Sequence, residues 1–302
     1  MIAIPPIIDA LPLDSANTAS LPDPLCNECF VRLKRGVYDD PTIDVYVNAA
    51  GDFALLAPPP VVDYLEYKPR HQALGLSHYK KARRVIESRY AKIEGYFTGA
   101  GSVLEVGAAD GAFLSKLREL HPAMLLAAIE PDESTRPQRE AITGLRQFET
   151  LEAAAEAGLK VEVICLFHVF EHLVDPASWL ASAKRLLVPG GKIIIEIPSL
   201  DDPLLALYQS AAYREFYFQK QHPFVYSAAS LGRVLERHGF STAMIPYQRY
   251  GMENHLTWLS AGKPGGSAEL RTIFGACEAG YATALEAGGR TDTVFAIAKI
   301  AV

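Results

Sequence analysis

The stretch VLEVGAADGAFL, residues 103–114, decides the reading of this chain. An apolar run from Val103 carries one acid, Glu105, and passes through Gly107 and Gly111 into a helix-forming segment. Glycine lets a backbone turn tightly and approach a ligand where a side chain would collide. A strand, a glycine-bearing turn and a helix in succession form the opening unit of a doubly wound sheet, which binds ligands outside the carboxyl ends of its strands. The acid at the strand end restricts the ligand. A pyrophosphate, the group that G-x-G-x-x-G turns hold, would be repelled by Glu105, whereas an ammonium group would be held. The E-x-G-x-x-x-G spacing therefore counts against a nicotinamide-dependent oxidoreductase.

Outward from this stretch, the sequence alternates. A helix is expected over residues 77–97, another over Ala112–Leu120, and a strand over Met124–Ile129 that ends in AIEPD, residues 128–132. Glu130, about 25 residues past Glu105, stands at that strand's tip, where an acid accepts hydrogen bonds from two ribose hydroxyls. A strand over Val161–Phe167 runs into CLFHVFEHLVDP, residues 165–176. After a helix over Ala177–Leu187 comes LLVPGGKIIIEIP, residues 186–198, read as a helix end, a Pro-Gly-Gly turn and a strand over Lys192–Ile197. This alternation predicts the α/β class: a Rossmann-like doubly wound parallel sheet with helices on both faces. Further on, Leu204–Phe218 looks helical and aromatic-rich, and Leu231–His238 is read as a helix. Thr242–Pro246 and Thr293–Lys299 are read as late strands, and helical periodicity covers Ala268–Leu285. Residues 1–70 are rich in proline and turn residues, with extended runs at Ile43–Val47 and Phe53–Leu56 and a stiff connector at Pro58–Pro60. They are expected to form a small N-terminal module beside a domain of residues 71–302, with a substrate-covering insertion around 199–227.

Composition narrows the partners. The chain has 302 residues, 49% hydrophobic and 21% charged, enough for a large core. Net charge is −6, and the densest basic cluster, Lys80, Lys81, Arg83 and Arg84, lies on a helical pattern, so nucleic acid is not expected. No apolar run reaches the roughly 18 residues of a membrane helix. The start, MIAIPPIIDALPLD, lacks a basic n-region. Four thinly spread cysteines imply no disulfide framework, and a cytoplasmic setting is expected. The partner foreseen is a small-molecule acceptor, with a homodimer left open.

The four blocks at 103–114, 128–132, 165–176 and 186–198, in this order, resemble class I S-adenosylmethionine-dependent methyltransferases over about residues 75–240. By that resemblance Glu105, Gly107, Ala108, Ala109, Asp110 and Gly111 would wrap the methionine part of the cofactor, S-adenosyl-L-methionine. Glu130 would hold the ribose, Pro131 would border the adenine, and Phe167 and His168 would flank the cofactor. Ala109 stands where many members have glycine. The segment REFYFQKQHPFVYS, residues 214–227, resembles bacterial sugar methyltransferases with a Tyr…Glu-His…Phe-Ser pattern, with Gln221 at the glutamate position. QRYGMENHLTWLSAGKPGG, residues 248–266, resembles the C-terminal part of methyltransferases from sugar and cell-envelope gene sets. Cys26 and Cys29 are similar to the opening of those enzymes' zinc ribbon. The second Cys-x-x-Cys pair is absent, so a degenerate ribbon without metal, serving as a lid, is expected.

Methyl transfer to a hydroxyl benefits from a general base, most often histidine. Of the eight histidines, His222, His168 and His172 are the catalytic candidates. His222 is preferred, and His172 is read mainly as a brace for its helix. Tyr217, Gln221, Tyr226, Asn254 and His255 are substrate-binding candidates, although the aromatics could be ordinary core and residues 253–255 an ordinary strand edge. The expected activity is O-methylation of a small hydroxylated intermediate, a sugar or nucleotide-sugar. The alternative is a catalytically silent partner subunit of the same fold.

Overall fold

A computed structural model describes residues 30–61 and 78–301. Cys26, Cys29, the opening run and the Lys80–Arg84 side chains lie outside the described residues. Short alternating or apolar runs at the start form strands: β1 (Phe30–Lys34), β2 (Asp44–Asn48) and β3 (Phe53–Ala57), paired antiparallel in succession. Beyond them come helix α1 (His78–Ile93), β4 (Ser102–Val106), α2 (Ala112–Leu120), β5 (Leu125–Ile129), α3 (Arg136–Glu140) and β6 (Arg146–Phe148). Then follow α4 (Leu151–Glu156), β7 (Val161–Phe167), α5 (Pro176–Leu186) and β8 (Leu187–Pro198). The last part comprises α6 (Pro203–Ala206), α7 (Ala211–Tyr217), β9 (Phe224–Tyr226), α8 (Ala228–Arg237), β10 (Phe240–Tyr247), α9 (Met252–Ala261), α10 (Ala268–Phe274), α11 (Glu278–Ala287) and β11 (Thr293–Ile300).

Seven strands form a mixed sheet in the order β10-β11-β8-β7-β4-β5-β6. β4 pairs in parallel with β5 on one side and β7 on the other, and β5 pairs in parallel with β6. Chain order therefore reverses at β4, and the carboxyl ends of β4 and β7 flank the switch point where such sheets bind ligands. β4 and β7 are buried along nearly their whole length. That explains why they read as continuous apolar runs rather than alternating ones.

The chain divides into two compact units. One holds, among the described residues, 61, 78–169, 177–195 and 298–301, including β4–β7. Its core is Val103, Leu104, Leu126, Ala127, Ile164 and Leu166, all without exposure. Each buried aliphatic side chain of this kind contributes about 1.5–3 kcal/mol. The other unit holds, among the described residues, 30–60, 170–176 and 196–297. In it β9 adds to β3, with Phe53 opposite Tyr226 and Leu55 opposite Phe224, giving a sheet in the order β1-β2-β3-β9. One face of that sheet shares a core with Tyr213, Tyr217, Phe218 and Trp258. By compactness, then, residues 30–60 group with residues from the far half of the chain.

Several expectations need correction. The sheet is mixed rather than wholly parallel. The helix expected to reach residue 97 ends at Ile93, followed by a 3-10 turn at Glu94–Tyr96. Strand β8 begins at Leu187 and takes in Pro189–Gly191, with Gly190 at φ +78°. Leu204–Phe218 is two helices, broken where Gln209 adopts φ +52°, and the periodic Ala268–Leu285 stretch breaks between Phe274 and Glu278. Residues 253–255 lie on α9, not at a strand edge. Among the described residues no helix is long and apolar enough to cross a membrane.

Candidate functional site

β4 carries Glu105 into the interior, where it is 4% exposed and its Oε2 has no hydrogen-bond partner. Burial pushes its pKa up to about 8; the Arg89 guanidinium pulls the other way, and Asp110 and Glu130 add to the rise. A buried oxygen without a partner costs about 1–3 kcal/mol. A cationic ligand group would satisfy it.

The turn after β4 is built from left-handed residues: Gly107 at φ +72°, Ala109 at +47° and Gly111 at +77°. A Cβ on Gly107 would collide with Val169 Cγ2, and one on Gly111 would sit 2.7 Å from Ile142 Cδ1. The Gly107 amide donates to the Ile129 carbonyl at 2.8 Å. Glu130 closes the turn from β5: its Oε2 accepts from the Ala109 amide (2.7 Å) and its Oε1 from the Asp132 amide (2.8 Å). Each carboxylate oxygen keeps a further lone pair for a ligand hydroxyl. Beside this turn lies a cleft of about 390 Å³, lined by Val106, Ile129, Pro131, Thr150, Leu151 and Trp179 among others.

Two residues that sequence reasoning missed belong to this neighbourhood. Arg139 on α3 is 2% exposed, and its guanidinium donates to the Ala109 carbonyl (2.5 Å), Thr135 Oγ1 (2.6 Å) and Gln147 Oε1 (2.9 Å). It ties the turn to the segment after β5. Nothing marks it within the charged run RPQRE. Arg89 on α1 lies 4.4 Å over the Phe167 ring, which also packs edge-on against Phe113 at 4.6 Å. The Phe167 side chain is thus largely packed rather than displayed, and His168 after it adopts φ +56°.

The unit containing residues 170–176 and 196–297 holds the other candidates. Glu171 and His172 lie on the 3-10 turn Phe170–His172. Their ligand atoms and that of His222 all fall within 4.8 Å of one another. His172 Nδ1 lies 2.7 Å from the Gln221 carbonyl. A carbonyl only accepts, so Nδ1 donates and the neutral ring keeps its lone pair on Nε2. Gln221 thus holds His172 by its main chain, while its side chain donates to Gln219 Oε1 at 2.8 Å. The loop is fastened to the first hairpins: the Lys220 amide donates to Asp39 Oδ1 (2.8 Å), the Tyr38 amide to the Phe218 carbonyl (2.9 Å) and the Leu56 amide to the Pro223 carbonyl (3.0 Å).

Tyr217 is buried and its hydroxyl has no hydrogen-bond partner; burial, then the negative charges of Asp202 and Asp201, hold it in the phenol form. Tyr226 on β9 is fully buried, its ring 5.3 Å from that of Phe53. His255 and Asn254 sit elsewhere. His255 is buried within a network in which Tyr281 bonds its Nδ1 and Tyr208 bonds Tyr281. Burial lowers the His255 pKa to about 4. Asn254 donates to the Gly265 carbonyl at 2.7 Å and fixes the loop after α9.

Comparison with known proteins bears on the family and the fold. Residues 78–243 match the family model of a methyltransferase domain. A crystal structure of an S-adenosylmethionine-dependent methyltransferase from Archaeoglobus fulgidus is similar, with 20% identity and a TM-score of 0.52, covering 78% of this chain and all of that one. The plantazolicin methyltransferase BpumL, solved with a monoazolic desmethylPZN analogue and S-adenosylhomocysteine, is similar at 14% identity and a TM-score of 0.50 over 78% of this chain and 92% of its own. A search of curated proteins finds no match. The family match spans more than half of the chain, so this protein belongs to the methyltransferase-domain family.

Proposed function

We propose that this chain transfers a methyl group from S-adenosylmethionine to an oxygen of a small hydroxylated acceptor, a sugar or nucleotide-sugar. One observation carries the cofactor reading: the buried Glu105, with an unpartnered oxygen, beneath a turn that only near-glycine backbone geometry allows. That environment suits an ammonium group and disfavours a pyrophosphate. When bound, the cofactor supplies a methyl group on a sulfonium leaving group. Glu105 and the 107–111 turn, with Asp110, would hold its methionine part, Glu130 its ribose and Pro131 its adenine. His168 follows β7 at the switch point.

His222 is the proposed proton acceptor for the acceptor hydroxyl. The Tyr217 hydroxyl, buried and lacking a partner, is a ready donor to a ligand oxygen. His172, held through Nδ1 by the Gln221 carbonyl, positions the neighbouring imidazole. The sugar assignment rests on the resemblance of the N-terminal module and of residues 214–227 and 248–266 to sugar methyltransferases.

The test is calorimetric titration of S-adenosylhomocysteine and, separately, NADH into the protein and its Glu105→Ala and Glu130→Ala variants. Micromolar binding of S-adenosylhomocysteine alone, weakened at least about tenfold by each substitution, is the expected result. Binding of NADH, or no effect of either substitution, overturns the reading.

A further inference from the structure

The Glu171–His172–His222 cluster offers more than a base. Two imidazoles and a carboxylate present one ligand atom each, all within 4.8 Å of one another. Two histidines and one carboxylate with open positions make a set that borderline divalent ions favour. A second feature points the same way. A metal-bound histidine almost always donates its other ring N–H to a carbonyl or carboxylate, which fixes the tautomer and the orientation of the ring. His172 already does this, with Nδ1 on the Gln221 carbonyl at 2.7 Å, in the residue adjoining His222. Glu171 is 2% exposed, so its charge has little water to compete with an ion. Around an ion at about 2.0–2.2 Å, neighbouring ligand atoms stand roughly 3–3.5 Å apart. From separations of up to 4.8 Å, a closure of roughly 1.3–1.8 Å brings the three into place.

We propose that Glu171, His172 and His222 bind one divalent ion of the zinc–cobalt class, and that its open positions receive the acceptor hydroxyl. The role of the ion rests on the acceptor site assigned above to this cluster; its binding does not. His222 accepts the hydroxyl proton in the ion-free chain; with the ion in place it is a ligand, and the ion's charge takes over the activation of the hydroxyl. The coordinated hydroxyl, made more acidic by the charge, releases its proton to solvent before its oxygen takes the methyl group.

The experiment titrates CoCl2 into the full chain carrying Cys26→Ser and Cys29→Ser, so that those thiols take up no ion. It follows visible absorption and heat, with S-adenosylhomocysteine binding measured on the same samples. One equivalent of cobalt is expected, displaced by ZnCl2 and not by MgCl2 at equal concentration. Glu171→Gln, His172→Ala and His222→Ala should each weaken cobalt binding at least about tenfold and leave S-adenosylhomocysteine binding intact. In the unsubstituted chain, ZnCl2 should protect His222 from diethyl pyrocarbonate, read by mass spectrometry; this arm needs no variant to fold. No saturable cobalt binding, or cobalt binding retained in the His172→Ala/His222→Ala double variant, overturns the proposal. Loss of S-adenosylhomocysteine binding in Glu105→Ala with cobalt binding unchanged keeps the two readings separate.

Discussion

Glu105 is placed where its charge is most costly, and that gives it a pH signature. Its folded pKa of about 8 stands above the ordinary 4.5, chiefly through burial. Between those values the native chain keeps a proton that the unfolded chain has lost. The stability from this group is therefore full below about pH 4.5 and is lost as pH rises through about 8, a change on the order of a few kcal/mol. Thermal unfolding of the unliganded chain should fall more between pH 5 and 8 than that of Glu105→Gln. A cationic ligand group reverses the preference, since it needs the carboxylate. S-adenosylhomocysteine should bind up to about tenfold tighter per pH unit toward pH 8, with a flatter profile in Glu105→Gln; equal slopes would sink this account. The turn above it makes a second claim. Gly107→Ala combines a left-handed residue with a collision at Val169, and should cost at least about 2 kcal/mol. Adding Val169→Ala should restore part of that loss. Ala109→Gly relieves about 1 kcal/mol of left-handed strain but frees the unfolded chain by a similar amount, so its melting temperature should barely move.

Among the elements, the short strand β9 does the least obvious work. Its three residues sit in a stretch whose aromatics read equally as a substrate-covering element or ordinary core, and no periodicity can declare a strand that short. Its partner, β3, lies about 170 residues earlier, so local pattern could not announce the pairing. The same holds for the Asp39 carboxylate that caps the Lys220 amide, 181 residues away. β4, β5 and β7 were legible because parallel strands buried on both faces leave a largely apolar record, broken here only by Ser102, Glu105 and Glu162. Glu105, Gly107 and Glu130 were legible because a turn and two acids at strand tips are local features. Arg139 was not, because its value lies in the four acceptors that the fold brings to it. Fastening the 218–223 loop to the first hairpins implies that Asp39 supports His222 from a distance. Asp39→Ala should leave S-adenosylhomocysteine binding unchanged and lower cobalt affinity about tenfold, the common cost of an outer contact. Equal loss of both would point to general unfolding instead.

At the scale of the whole molecule, the sheet order places the turn of β4 and the end of β7 at the switch point, and the alternation of strands and helices foretold that much. The role of the first sixty residues was not foretold. The proline content and short extended runs of residues 1–70 suggest a small module, and the resemblance of Cys26 and Cys29 to a zinc ribbon suggests a lid. The structure gives β3 a pairing with β9, and sets Val45, Ala54 and Leu56 in one core with Tyr213, Tyr217, Phe218 and Trp258. Arg233 on α8 adds a two-pronged ion pair to Asp52, at 2.7 and 2.9 Å. Removing residues 1–60 would expose that core and the hydrogen-bonding edge of β9, and each of the larger buried side chains would lose its share of about 1.5–3 kcal/mol. Against a net stability of about 5–15 kcal/mol for a typical domain, that is too much to lose. A chain of residues 61–302 should therefore be insoluble or lack a cooperative melting transition. Arg233→Ala in the full chain, which removes only the ion pair, should keep the transition and lower its midpoint. If residues 61–302 instead melt cooperatively and bind S-adenosylhomocysteine as the full chain does, the N-terminal strands are a detachable lid and the shared core is dispensable.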